Sequence, residues 1–250
     1  MAEQYGTLAA VYDWIVPEVL LAPEGSVAAF DGYYELEPGA RVLDCAAGTG
    51  TFAVGLALRR FDVTATDASA EMIERTRALA ASRGVDLPSR VCTWEQLGDQ
   101  GWAESFDAVF CVGNSLAHAE GQAARRAALA AMAGVLRPGG LLVVTARNFE
   151  LERARGSRVE VDDHLVERHG ARAVVVRSWT IPEDWDQMHV MEIVVALLGD
   201  DGTLTRHGER LRVWPFRHET LDEDLRTAGF EPESAYDPEV WRYLVTARRR

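Results

Sequence analysis

Between Pro38 and Asn148 the apolar positions fall into short blocks separated by longer stretches in which they recur every three or four residues. The blocks Arg41–Asp44, Phe61–Thr66, Arg90–Trp94, Phe106–Val112 and Leu141–Ala146 read as strands. Phe106–Val112 is apolar enough for burial on both faces, as in a parallel sheet. The intervening stretches read as helices over 51–59, from Ser69 as N-cap to about Ser82, and over the alanine-rich 121–135. Arg83-Gly84 ends the second, and Arg137-Pro-Gly-Gly140 turns the chain out of the third into the fifth strand. Strand and helix alternating with this regularity predict a doubly wound α/β sheet with right-handed crossovers.

After Asn148 the period shortens to two. Val159–Val166, Ala173–Ile181, Met188–Leu198 and Thr203–Pro215 read as strands, with Gly199-Asp-Asp-Gly202 as a hairpin turn. This predicts an antiparallel β cap inserted over 149–215. Residues 216–250 then return to the main sheet through a helix over 219–228, closed by Gly229, and strands near Phe230–Tyr236 and Trp241–Ala247. The first 38 residues form an aromatic-rich helical leader carrying Tyr5, Tyr12, Trp14, Phe30, Tyr33 and Tyr34. Such a leader either packs the outer face of the sheet or folds over the site of the 39–148 core as a lid. The leader and cap are expected to close on the site from opposite sides.

Composition narrows the function. The net charge is −13 and every basic residue is arginine, so a broad phosphate-binding face, and with it nucleic acid, is disfavoured. Arg248-Arg249-Arg250 reads as a solvated tail. Cys45, Cys92 and Cys111 are odd in number, sit in apolar blocks and lack metal-ligand spacing, so they read as buried small hydrophobes rather than a disulfide frame or a metal site. No run approaches the ~18 apolar residues of a membrane span and no signal-peptide pattern opens the chain, which predicts a cytoplasmic protein without membrane contact. A homo-oligomer is compatible with the sequence.

The chemistry gathers at Asp44-Cys-Ala-Ala-Gly-Thr-Gly50. A strand running into a small-residue turn and a helix N-terminus lets backbone N–H groups face a ligand with no Cβ in the way. Asp67 ends the second strand 19 positions after Gly48, near the ~20-residue spacing at which an acid meets ribose hydroxyls in nucleotide-binding βαβ units. The third glycine of a dinucleotide fingerprint is absent, since Thr-Phe-Ala follows Gly50, and this disfavours a dehydrogenase.

The Asp44–Gly50 turn resembles the first motif of class I S-adenosylmethionine (SAM) methyltransferases. Val63-Thr-x-x-Asp67-Ala68-Ser69 with Met72, Gly113-Asn-Ser-Leu-Ala-His118, Arg137-Pro-Gly-Gly-Leu-Leu142 and Arg147-Asn148 narrow the resemblance, over roughly residues 40–150, to the glycine N-methyltransferase group. It implies a Rossmann-like methyltransferase sheet of seven strands with the last antiparallel, and a reaction turning SAM into S-adenosylhomocysteine. It also implies that Ala46, Gly48, Gly50 and Ala68 line the cofactor, that Asp44 lies near its methionine portion, and that Asp67 takes the ribose. Met72, Thr93 and Trp94 would then meet the adenine, and Val112 and Asn114 would lie where cofactor and substrate meet. Asn114 and Arg147 would hold a substrate carboxylate.

The sequence departs from the group in two places. Thr145-Ala146 stand where Asp-His is frequent, which weighs against glycine itself as substrate. Residues 13–40 contain no arginine of the kind that grips the SAM carboxylate, which leaves that carboxylate to another donor, backbone included.

The expected substrate is a small molecule, and N-methylation of an amine beside a carboxylate fits best. The alternatives are O-methylation with His118 as base, and a SAM-binding regulator that has lost transfer chemistry. His118 reads either as that base or as a structural hydrogen-bonding group in its loop. Tyr5, Tyr12 and Trp214 are the aromatic candidates for the substrate side. Trp179, Trp185 and Tyr243 read equally as cap and sheet packing. The remaining histidines are expected to lie mostly at the surface.

Overall fold

Each parallel strand sends alternate side chains to opposite faces of one sheet, and that alternation builds two cores. The computed structural model describes residues 9–168, 170–233 and 236–250, with Tyr5 and His169 outside them. Two 3-10 turns, Ala9–Trp14 and Glu18–Leu20, precede α1 (Pro23–Ala28). Then come β1 (Arg41–Asp44), α2 (Thr51–Leu58), β2 (Asp62–Asp67), α3 (Ala70–Ser82), β3 (Ser89–Val91), β4 (Phe106–Cys111), α4 (Gly121–Val135) and β5 (Leu136–Arg147). Leu43, Val109, Cys111, Leu142 and Val144 face the core shared with α4 and the cap. Val42, Ala108, Phe110 and Val143 face the one shared with Phe30, Phe52 and Leu56.

The cap follows as α5 (Phe149–Arg155), β6 (Arg158–Val161), β7 (Val166–Arg168), β8 (Ala171–Thr180), β9 (His189–Leu198) and β10 (Leu204–Val213), and the chain closes with α6 (His218–Thr227), β11 (Phe230–Pro232) and β12 (Arg242–Arg249). The main sheet has the order β11-β12-β5-β4-β1-β2-β3, and β12 runs antiparallel to β5. The order reverses between β1 and β4, the switch point beyond whose strand ends ligands bind in open α/β sheets. The cap is a separate antiparallel sheet, β10-β9-β8-β6, with β7 also on β8. These are the seven-stranded doubly wound sheet and the antiparallel cap read from the sequence.

Several boundaries differ for physical reasons. The third strand ends at Val91 because Thr93 caps a 3-10 turn, its backbone N–H donating to Gln96 Oε1 at 3.0 Å. Val159–Val166 splits into β6 and β7 around Asp162, which turns aside to pair with Arg177 at 2.6 Å. α5 was not anticipated; Asn148 starts it, Oδ1 accepting from Leu151 N at 3.0 Å. The terminal arginines stay near the surface but are paired: Arg249 reaches the Leu136 carbonyl and Glu104, and the exposed Arg250 pairs with Glu231. The three cysteines are buried and unbridged.

One buried charge cluster ties α4 to α6. Asp224, fully buried, accepts from Arg125 Nε at 2.7 Å, Arg126 Nε at 2.6 Å and Gln122 Nε2 at 2.9 Å. Arg125 lies with its guanidinium 4.6 Å from the Phe216 ring, at the exit of the cap. No helix among the described residues is long and apolar enough to cross a membrane.

Candidate functional site

A cavity of about 360 Å³ opens at the carboxyl ends of β1, β4 and β5, roofed by the leader on one side and the cap on the other. Its floor is the turn after β1. Gly48 has φ +56° with nothing within 4 Å of where a Cβ would stand, so the chain approaches the cavity there with bare backbone. Gly50 has another reason to be glycine: φ is +84°, and a Cβ would come within 2.8 Å of Thr76 on α3. Gly50 therefore shapes the turn from behind and does not line the cavity.

Asp67 explains its own spacing. Oδ2 accepts the Gly48 N–H at 2.8 Å and Oδ1 the Ser69 N–H at 2.9 Å, so one carboxylate bolts the β2 end to the β1 turn. Burial raises its pKa, and these backbone donors oppose the rise. Asp44 is more extreme. It is fully buried; Oδ1 accepts from Ala46 N at 3.3 Å, while Oδ2 has no partner among the described residues. Burial pushes its pKa up to about 7, partly opposed by the Ala46 N–H, and the nearby Asp67 adds to the rise. A buried, half-satisfied carboxylate facing a cavity calls for a cation or donor to complete it.

At the opposite wall, Asn114 sits in the left-handed region (φ +68°) and its Oδ1 accepts from the backbone N–H of Arg147 at 2.8 Å. Thr145 Oγ1 accepts from Gly113 N at 3.0 Å, latching the same two loops together. The Arg147 guanidinium lies 4.8 Å from the Trp179 ring and 3.5 Å from Glu152, which Arg158 holds more closely. His118 is buried; its Nδ1 hydrogen-bonds the Arg212 carbonyl at 3.0 Å, and burial lowers its pKa. The ring is therefore neutral near pH 7 with its proton on Nδ1, which makes Nε2 the basic nitrogen.

The sequence candidates Asp44, Ala46, Gly48, Asp67, Ala68, Met72, Thr93, Trp94, Val112, Asn114, His118 and Arg147 all line this one cavity. Tyr12 lines it too, but at the Asp67 end rather than beside Arg147: burial raises its phenol pKa, and the Asp67 charge adds to that. Trp214 does not line the cavity. Its backbone N–H instead donates to Ala117 at 2.8 Å and ties β10 to the His118 loop. Trp179, Trp185 and Tyr243 stay out of the lining, the first two stacking under arginines. His189 and His218 are buried, not superficial, because each packs into the aromatic cluster of Phe149 and Tyr243.

The fold of the whole chain matches solved methyltransferases. The SAM-bound amino pentose methyltransferase from Micromonospora echinaspora is similar at a TM-score of 0.76 and 24% identity, covering 96% of this chain and 95% of that one. Residues 42–140 match the family described as "Methyltransferase domain". Residues 42–140 are a methyltransferase domain. The glycine/sarcosine N-methyltransferase of Aphanothece halophytica is 38% identical over 111 residues, and the glycine N-methyltransferase of Rattus norvegicus 38% identical over 122 residues. These stretches span 44% of this chain but only 42% and 41% of those proteins, so the chain covers under half the length of each relative.

The residues of this methyltransferase domain fit SAM on three observations: the bare Gly48 cradle, the Asp67 carboxylate fixed between two turns, and the orphaned Asp44 oxygen beside them. Four lining residues of the methyltransferase cavity had no sequence signal. Arg177, Met191, Ile193 and Leu211 come from the cap, whose placement over the core no local pattern encodes. Trp241 and Arg242 at the start of β12 were also missed. The Trp-Arg pair at the edge of a closing strand could have been noticed, but only the register of β12 on β5 puts it at the site.

Proposed function

We propose that this chain is a SAM-dependent N-methyltransferase whose substrate is a small molecule carrying an amine near a carboxylate. The carrying observation is the distribution of charge in one cavity, with the fully buried Asp44 and the half-buried Asp67 at the β1–β2 end and Arg147 at the β5 end. Asp67 would hold the ribose, Asp44 the amino group of the methionine portion, and Met72, Thr93 and Trp94 the adenine. When bound, SAM supplies a methyl group on a sulfonium, an already activated leaving group. The chain's task is then to hold the nucleophile in line.

Arg147 would take the substrate carboxylate with its planar pair of donors, and Asn114 fixes the backbone from which that side chain springs. Met191, Ile193 and Leu211 close the cavity with apolar surface that keeps water from the reacting groups. The amine must arrive without its proton, and His118 Nε2 is a buried, neutral acceptor on the same cavity wall. The same nitrogen supports a second reading, deprotonation of a hydroxyl for O-methylation. The relatives similar in sequence are named for amino-acid substrates and a structure similar over the full length is named for an amino pentose. Turnover of labelled SAM with amino acids, amino sugars, simple amines and phenols separates the readings; methylation of phenols alone would overturn the N-methyltransferase.

Cofactor binding gives two quantitative expectations. S-adenosylhomocysteine should bind and NAD should not, and Asp67→Ala should cost about 1–3 kcal/mol of that affinity because two hydroxyls lose their acceptor. Calorimetry that finds wild-type affinity for the variant would take Asp67 out of the ribose site. Asp44 sets a pH dependence. Its carboxyl is half-protonated near pH 7 without ligand, and the amino group of the ligand pairs only with the ionised form. Affinity for S-adenosylhomocysteine is therefore expected to fall as pH drops below about 7, by up to about tenfold per unit. Titrations between about pH 5 and about pH 8 check this, and Asp44→Asn should flatten the profile.

A further inference from the structure

Three arginines from outside the nucleotide end line the cavity, and their surroundings differ. Arg177 pairs with Asp162 at 2.6 Å. Arg147 rests against Trp179 and Glu152. The Arg242 side chain makes no hydrogen bond or ion pair among the described residues. Its guanidinium instead lies near two rings, 5.6 Å from the centre of Phe30 and 5.3 Å from the centre of Trp241. Cation–π contacts fix where a guanidinium lies without occupying its hydrogen-bond donors.

Two further observations point these donors at an anion. Arg242 stands directly opposite Arg147 in the antiparallel register of β12 on β5, and of these two like charges it is Arg147 that has an acid, Glu152, at 3.5 Å. Phe30 also packs on Phe52, ring centres 4.8 Å apart, and Phe52 sits in the first turn of α2. Thr51, which begins α2, lines the same cavity as Arg242, and the N–H groups of that turn favour negative charge. Arg147 leans the other way, to the cap residue Trp179 and to Glu152 of α5.

Asp44 supplies the complementary half. Asp44 lines the same cavity from the end of β1, next to α2, and one of its oxygens is fully buried and without a partner among the described residues. An α-amino acid is a zwitterion with both charges on one carbon, so a site for it needs a buried acid and an arginine around one corner. Resting on the SAM-binding reading above, we propose that Arg242 is the residue that binds the carboxylate of the cofactor's methionine portion, in place of the arginine that residues 13–40 lack. The last strand of the chain thus completes the cofactor site, and Arg147 is left to the substrate. The loop that leads into Arg242 is fixed by Asn148, whose Nδ2 donates to the Pro238 carbonyl at 3.2 Å and the Val240 carbonyl at 3.0 Å.

The test compares two ligands that differ by the amino-acid group. S-adenosylhomocysteine carries the carboxylate; 5′-methylthioadenosine keeps the nucleoside and sulfur and lacks it. Calorimetry on the full chain is expected to show Arg242→Gln weakening S-adenosylhomocysteine by about 10–100-fold, the range for a lost charge-assisted pair. Methylthioadenosine affinity should stay within about twofold, which also reports that the variant is folded. Arg242→Lys should recover part of the loss. Equal weakening of both ligands would make Arg242 a structural residue and overturn the assignment. So would unchanged S-adenosylhomocysteine affinity. If the unaltered chain binds neither ligand, the SAM-binding reading falls and takes the assignment with it.

Discussion

Arg147→Ala is expected to lower kcat/KM by the equivalent of about 2–4 kcal/mol, with S-adenosylhomocysteine affinity nearly unchanged. The reason lies in how the side chain is partnered. Its 3.5 Å approach to Glu152 is long for a charge-assisted hydrogen bond, which runs nearer ~2.8 Å, and Arg158 has the stronger hold on that acid. Removing Arg147 therefore does not strand Glu152, so the fold should persist and the loss should appear in turnover. Arg147→Lys keeps the charge but loses the planar fork and the stacking on Trp179, and should rescue little. The measurement is steady-state kinetics beside calorimetry, with the substrate found by the labelled-SAM screen. A collapse of cofactor affinity would instead put Arg147 on the cofactor's own carboxylate.

Asp224→Ala should be the most damaging single change to stability, at about 3–5 kcal/mol. The deletion leaves Arg125, 3% exposed, as a buried charge without its counter-ion, while Arg126 is exposed enough to turn to water. Burial already lowers the Arg125 pKa and Asp224 acts to raise it. For a chain of this size such a loss corresponds to a fall in Tm of roughly 10 °C. Removing both charges, with Arg125→Met and Asp224→Leu, should recover much of the loss, because a buried pair can often be replaced by apolar groups of similar volume. A thermal shift near zero for Asp224→Ala would mean that water reaches Arg125.

The parts of this site that could be read from the sequence are those encoded within a few residues. Asp44, Gly48 and Asp67 were legible because a strand end, a tight turn and a second strand end have fixed spacing. The structure supplies the cause of that spacing, the Asp67–Gly48 hydrogen bond. Gly50 was placed by resemblance in the cofactor lining, but its neighbour is Thr76 and not the cavity. Arg147 and Asn114 could be placed by resemblance; that the asparagine's oxygen holds the arginine's backbone could not. Arg242, Met191, Ile193 and Leu211 were illegible because pairing between β12 and β5 and the docking of the cap are long-range facts. The strands of the cap were still foreseen, since period-two alternation is local. α5 was missed because a seven-residue helix depends on a single cap, Asn148, more than on any pattern.

The register that sets Arg242 opposite Arg147 also bears on how the protein comes to exist. The two residues are separated by roughly a hundred positions, across the whole cap, so this pairing has high contact order and is expected to form late in folding. A nascent chain can complete β1 to β5, and with them Asp44, Asp67 and the nucleotide end, before β12 has been synthesised. If the last strand carries the anion grip, such an intermediate would hold the nucleoside but not the amino acid. Tight cofactor binding would then report that β12 has joined the sheet, and ligand-induced stabilisation would favour chains that extend through β12 over shorter ones.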